Sequence, residues 1–491
     1  MQNQIIEGYR LSPQQRHLWM QQADSELPYR VQLALLIEGE LDEQVLKESL
    51  QNIIDRYEIY RTSFRAIPGM SEALQVIKDS PPVSLGKLDL GSLRSGEQES
   101  ALEDLFREAR FEPFDLENGP LFRVSLVKLS AARHVLIVGL PALCADLKTV
   151  NNLSREILRT YVANITGEDV TGEPLQYCRL SEWQNELLEL EETEIGRAYW
   201  RKFDFSELLA LDLPLAAHDQ AQATFKPESV RIEITDDLAS KIGEWAKLNE
   251  LNVSSLLLAC WEVVLWKMTA SEQLLVGVAF DGRTDPELED SLGLLTKFLP
   301  LSSAIDRDLP LLELAACLDQ SANELKPWQE YFSWDLLSSN DSESGGYLRF
   351  LFESQPEAPE EEAAGVRMKM IRRWACTQRY KLKLECELGQ RVAVELSYDE
   401  AQVTATEAEM IARRYRKVLE QASSREVTVG EIEVVSEAER RLLVEEWNEA
   451  SREIDHDRSV VEQIAETAAT YPEQIAVEAG EQQLSYQQLN E

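Results

Sequence analysis

The chain has 491 residues, 44% of them hydrophobic, which fits a globular protein with sizeable cores and excludes general disorder. Its 88 acidic residues against 49 basic ones give a net charge of −39, which excludes a nucleic-acid partner because such binding needs a basic face to replace counterions. No run approaches the ~18–20 consecutive apolar residues that cross a bilayer, and MQNQIIEGYRLSPQQ lacks the basic-then-apolar order of a secretory signal, so a cytoplasmic protein without a membrane partner is expected.

Taken in chain order, the first half mixes strands and helices. VQLALLIEG (31–39) reads as a strand and LDEQVLKESLQNIIDRYE (41–58) as an amphipathic helix. LFRVSLVKL (121–129) alternates apolar and polar residues, and HVLIVGL follows it after a short turn, which predicts an antiparallel hairpin. A long helix is expected over about 179–203. The pattern lapses near 205–228, DFSELLALDLPLAAHDQAQATFKPES, where a crossover between halves is expected.

The second half begins again with a strand, SVRIEI, then a helix over 236–249 and a very apolar one, VSSLLLACWEVVLWKM (253–268). QLLVGVAF and RVAVELSY (391–398) read as strands, and a helix fills about 404–422. PEAPEEEAAG (356–365) reads as a surface loop. After 437 the texture changes to a helix, a polar linker, another helix and a short strand. The fold class is α/β (α+β), with two similar-sized halves and a tail. The expected boundaries are 1–185, 186–436 and 437–491.

Six cysteines, with no CxxC pair, suit reduced core thiols better than disulfides or zinc. His17, His134, His218 and His456 are not spaced as ligand pairs, so no metal site is expected. The basic clusters RMKMIRRW (367–374) and RRYRK (413–417) read as solvated faces before docking spots for an acidic partner.

Several motifs resemble, in order, those of the condensation-domain family of nonribosomal peptide synthetases. They are LSPQQRHLW (11–19), RYEIYRTSF (56–64), FEPFDLENGPLFR (111–123), VGVAFDGR (276–283) and SLGLLTKFLPL (291–301), with WQEYFSWDLL (328–337) a looser match. EEWNEAS, ATYPEQIAVE and LSYQQLNE are similar to the linker and first core motif of an adenylation domain. The resemblance implies a fold like chloramphenicol acetyltransferase, two lobes in a V-shaped pseudo-dimer with a tunnel between them. It implies a monomer whose partners are carrier proteins and an adenylation domain in the same chain. The substrates ride on the carriers' 4′-phosphopantetheine, so no directly bound cofactor is expected. The downstream amine attacks the upstream thioester to form an amide. The chain stops within the adenylation motif, so a larger parent synthetase with its donor arriving in trans is expected.

The family signature is His-His-x-x-x-Asp-Gly at the end of a strand. Here Pro141, Ala142, Leu143, Cys144, Ala145, Asp146 and Leu147 stand in its place. Ala142 occupies the position of the second histidine, and losing a general base typically costs about 10²–10⁴-fold in rate. In the family the aspartate pairs with the arginine of the Arg-Thr motif, here Arg61. Asp146 therefore reads as structural before catalytic, since a half-buried carboxylate needs a cation. Cys144 is a weaker candidate nucleophile, because no neighbour in the sequence would lower its pKa. Pro141, Ala142, Leu147 and Tyr57 are the expected tunnel lining. His134, about 20 Å away by strand rise, is too distant to replace Ala142.

Three functions follow. The first is amide formation by a divergent site that relies on proximity. The second is a silent domain that recruits a carrier protein or tailoring enzyme, or braces the adenylation domain. The third is a different reaction on a carrier-bound intermediate, such as dehydration.

Overall fold

Alternating apolar residues build most of the strands. The computed structural model describes residues 8–22, 29–67, 69, 72–190, 193–215, 224–337, 347–389, 391–423, 426–446, 459–479 and 482–491. In the first half lie β1 (Arg30–Gly39), β2 (Leu85–Asp89), β3 (Arg123–Ser130) and β4 (Arg133–Pro141). Helix α1 (Glu43–Arg56) is capped by Asp42, whose side chain accepts from the Gln44 and Val45 N–H groups. Helices α2 (Ser95–Glu108) and α3 (Leu147–Thr166) lie in the same half.

The second half supplies β5 (Pro227–Ile232), β6 (Gln273–Phe280), β7 (Lys297–Ala304), β8 (Phe350–Pro356), β9 (Glu361–Ala363), β10 (Val366–Ala375), β11 (Leu382–Leu388) and β12 (Val392–Asp399). Helices α4 (Val253–Thr269) and α5 (Ala405–Ala422) pack together, with Leu256 to Leu265 of α4 buried almost throughout. Among the described residues no single helix is long and apolar enough to cross a membrane.

Two six-stranded sheets result, ordered β9-β10-β1-β4-β3-β2 and β7-β6-β8-β11-β12-β5. Strands β9 and β10 belong to the second half of the chain but sit in the first sheet, where β10 pairs antiparallel with β1. The halves are therefore laced together, and residues 361–375 pack outside the half in which 186–436 places them. Along β1, Val31, Leu33, Leu35 and Ile37 are buried on the face that α3 covers. Gln32, Ala34 and Leu36 occupy the opposite face.

The expected surface loop over 356–365 departs from expectation in part. Ala363 pairs with Val366 across Ala364 and Gly365, both at positive φ, so a tight primed turn folds β9 back along β10. The long helix expected over 179–203 is two helices, Tyr177–Glu189 and Glu194–Trp200. Leu190 is extended, and the Thr193 hydroxyl donates to the Leu187 carbonyl and closes the first of them.

The chain forms two compact units, residues 1–434 and 435–491. The second unit has helices Glu437–Val444 and Val460–Thr470, a hairpin of Ile475–Ala479 and Gln482–Ser485, and a terminal helix Tyr486–Asn490. His218, His456, part of the 205–228 crossover and most of EEWNEAS lie outside the described residues. Five cysteines are buried and free, whereas Cys317 is exposed.

Candidate functional site

Strand β4 runs to Pro141, and Ala142–Cys144 then form one tight turn. The chain leaves that turn extended at Asp146, the N-cap of α3, where Asp146 accepts the Thr149 N–H at 2.7 Å. A carboxylate is favoured there by the free N–H groups and the helix dipole.

The rest of the Asp146 carboxylate is taken up by the loop between β6 and β7. Arg283 donates to both its oxygens at 3.1 Å, a bidentate pair. The Leu295 and Thr296 N–H groups each donate to Oδ2 at 2.9 Å, and the Thr296 hydroxyl at 3.0 Å. Burial raises the Asp146 carboxyl, but Arg283 and these N–H donors outweigh it and hold the group below its usual value. Arg283 is saturated in turn, donating to the carbonyls of Asp281 and Ser291 and to the Thr149 hydroxyl. Thr149 closes the knot by donating to the Gly293 carbonyl at 2.6 Å and accepting the Gly293 N–H at 3.0 Å. Gly293 has φ +140°, and a Cβ there would meet the Tyr177 ring at 2.0 Å, so only glycine fits.

The opening motif buttresses the same place. Ser12 shares a hydrogen bond with the Tyr177 hydroxyl, which donates to the Leu294 carbonyl. Gln14 donates to the Leu295 carbonyl and Gln15 to the Leu143 carbonyl, so one helix turn ties both flanking loops.

Arg61 is not the partner of Asp146. Its Nη1 donates to the Lys78 carbonyl at 2.7 Å, and its Nη2 lies 3.6 Å from Glu58. Arg61 opens the strand Thr62–Ala66, whose hairpin partner Ala73–Ile77 brings the Lys78 carbonyl within reach, whereas the Asp146 oxygens are already occupied by Arg283 and four other donors. Arg283, Thr149 and Thr296 went unassigned in the sequence. Arg283 had a signal, as the last residue of VGVAFDGR, but nothing local identifies its partner.

The expected tunnel-lining residues take another role. Ala142 has no accessible surface and Leu147 has 1%, so both are packed into the core and line no open tunnel among the described residues. Pro141 is buried, and Tyr57 is buried with its hydroxyl pushed up to about 12 by desolvation and the nearby Glu156 charge. Cys144 is fully buried, and burial drives its thiol far above the ordinary value, which removes the thiolate a nucleophile needs. His17 stacks on Trp334 with ring centroids 4.5 Å apart, which joins the opening motif to the segment 328–337. Among the described residues no cluster of three histidine, cysteine or acidic side chains could hold a metal.

Three comparisons bear on this arrangement. A linear gramicidin synthase of Brevibacillus parabrevis is 29% identical over 497 residues, which cover 98% of this chain and 6% of that protein. The chain thus spans a small fraction of the curated relatives it matches. The first condensation domain of the calcium-dependent antibiotic synthetase superposes with a TM-score of 0.75 at 17% identity, covering 88% of this chain and all of that one. In a complex of the X-domain and OxyB from teicoplanin biosynthesis, a chain superposes at 0.70 and 21% identity, covering 88% of this chain and 96% of that one. These likenesses carry the fold, the two-lobed α/β arrangement of the chloramphenicol acetyltransferase type. A model of the condensation domain matches residues 5–444. A match of that span means that the chain belongs to the condensation-domain family of nonribosomal peptide synthetases.

Proposed function

We propose that residues 8–434 form a condensation-type domain that binds a carrier-bound acyl thioester without supplying acid–base catalysis to it. One observation carries this reading: every residue of the degenerate motif is spent on packing or on the Asp146 knot. A methyl group at 142 neither accepts a proton nor hydrogen-bonds an intermediate. Asp146 has no oxygen left for a substrate, and the Cys144 thiol is sealed. The domain then presents or recruits rather than joins. Its fold likeness to an X-domain found in complex with a second protein, OxyB, supports recruitment as the task. Carrier proteins are its partners, and residues 435–491 open an adenylation domain.

A second reading is amide formation by proximity alone, since an aligned thioester and amine react without a base at reduced rate.

Intact-mass spectrometry of carriers loaded with donor and acceptor decides between them. Retention of the loaded carrier with no domain-dependent transfer is the expected result. Transfer by the wild-type chain overturns the silent reading and establishes the second. A mass change on a single loaded carrier, such as loss of water, overturns both.

A further inference from the structure

Helix α2 lies over the face of the first sheet opposite α3, and its sequence gives it little to pack with. In SGEQESALEDLFRE only Ala101, Leu102, Leu105 and Phe106 are apolar, and Phe106 is the one buried residue of the helix. Beneath it is a cavity of about 320 Å³, with Ala34 and Leu36 of β1 and Val135 and Ile137 of β4 as its floor and Leu102 and Phe106 in its roof. The strand register makes the floor continuous. Ala34 pairs with Ile137 and Leu36 with Val135, so all four side chains stand on one face. Interiors leave few voids larger than a water molecule, and a volume above ~300 Å³ is that of a small-molecule site.

The polar groups around this space are already committed or face solvent. Gln98, one turn before Leu102, donates its amide to the Leu90 and Leu129 carbonyls at 3.0 Å. At the rim Arg372 pairs with Glu103 at 2.8 Å and Arg133 with Glu38 at 3.2 Å. The Arg372 guanidinium also lies 5.3 Å from the centre of the Phe106 ring and so fixes the roof. Glu99 and Arg231, the other charged residues of the lining, are exposed and opposite in sign. None of the charged residues of the lining is buried, so nothing inside offers a counter-charge to a ligand. A charged group would lose water there without compensation, whereas methylene groups gain from the transfer.

We propose that this cavity holds the aliphatic chain of a carrier-bound acyl group, uncharged along its length. The inference rests on the thioester-binding reading above and narrows it to an apolar acyl class. Strand β4 connects the two places: Ile137 in the floor lies four residues, about 13 Å by strand rise, before Pro141. The chain thus lies along the strand that ends in the degenerate turn.

The test is calorimetric titration of the full chain with the octanoyl and butyryl thioesters of N-acetylcysteamine, which differ by four methylene groups. Each buried methylene is worth about fourfold in affinity. Wild type is therefore expected to bind the octanoyl probe at least about tenfold more tightly. A34F, which puts a ring into the cavity from its floor, is expected to lose that preference, and L102Q, which puts an amide into its roof, to lose part of it. Methyl octanoate, which has the chain but no thioester arm, is expected to bind more weakly than the octanoyl probe. Equal affinity of wild type for the two thioesters overturns the cavity assignment, as does a preference that survives in folded A34F. If A34F does not fold, L102Q, at a half-buried helix position, decides. Methyl octanoate binding as tightly as the octanoyl probe overturns the carrier-bound source in favour of a free lipid. Failure of wild type to bind either thioester overturns the thioester-binding reading and the cavity assignment with it.

Discussion

Asp146 and Arg283 meet in a bidentate pair across 137 residues of chain, with side-chain exposures of 1% and 0%. The pair joins the end of the first-half strand β4 to the loop after β6, and both partners are hydrogen-bonded to saturation. The aspartate of the degenerate motif is thus a joint between halves, which explains why it survives where the histidines do not.

Breaking this joint is expected to destabilise the chain heavily. R283M leaves Asp146 charged, buried and unpaired, at a cost of about 3–5 kcal/mol. R61M removes the hydrogen bond to the Lys78 carbonyl and a part-exposed contact to Glu58, and is expected to cost about 1–2 kcal/mol. Chemical denaturation of the two variants checks the order, and equal losses would return Arg61 to the site.

Restoring the family histidine is expected to harm rather than help. Ala142 has no free surface, so the imidazole of A142H overpacks the turn, at about 1–3 kcal/mol. A lower melting temperature with no gain in acyl transfer is the expected outcome. Transfer appearing in A142H would mean that the turn opens in solution.

Glu262 makes the second lobe sensitive to pH. It is fully buried on α4, Oε2 accepts from the Ser303 hydroxyl, and Oε1 has no partner. Burial pushes its carboxyl up to about 8, against an ordinary 4.5. The unfolded chain therefore loses this proton near pH 4.5 while the folded chain keeps it, so the contribution is lost as pH rises toward 8. Denaturation between pH 5 and 8 should show wild type weakening relative to E262Q, and parallel curves would refute the assignment.

Cysteine reactivity follows burial. At neutral pH iodoacetamide is expected to label Cys317 quickly in the folded chain and all six thiols after denaturation. Rapid labelling of Cys144 in the folded state, read by peptide mass mapping, would reopen it as a nucleophile.

The elements were legible in the sequence because their signals are local. The alternation in Val31 to Ile37, the apolar run of β4 and the spacing in α1 report burial by period alone, and each element forms where expected. Helix Tyr177–Glu189 was overextended because its stop is a hydroxyl-to-carbonyl bond rather than a glycine or proline. Strand β9 was missed because a run of glutamates masks a two-residue turn.

By itself the sequence determined the family, the order of elements and the loss of the motif's histidines, since these are properties of residue identity and short-range periodicity. Only the tertiary structure decided that Asp146 joins Arg283 and not Arg61, and that β10 crosses to the first sheet. Each of these is a choice among several chemically equivalent partners distant in sequence. Packing makes that choice, through which loops meet, how little room they leave, and which charges are taken out of water together.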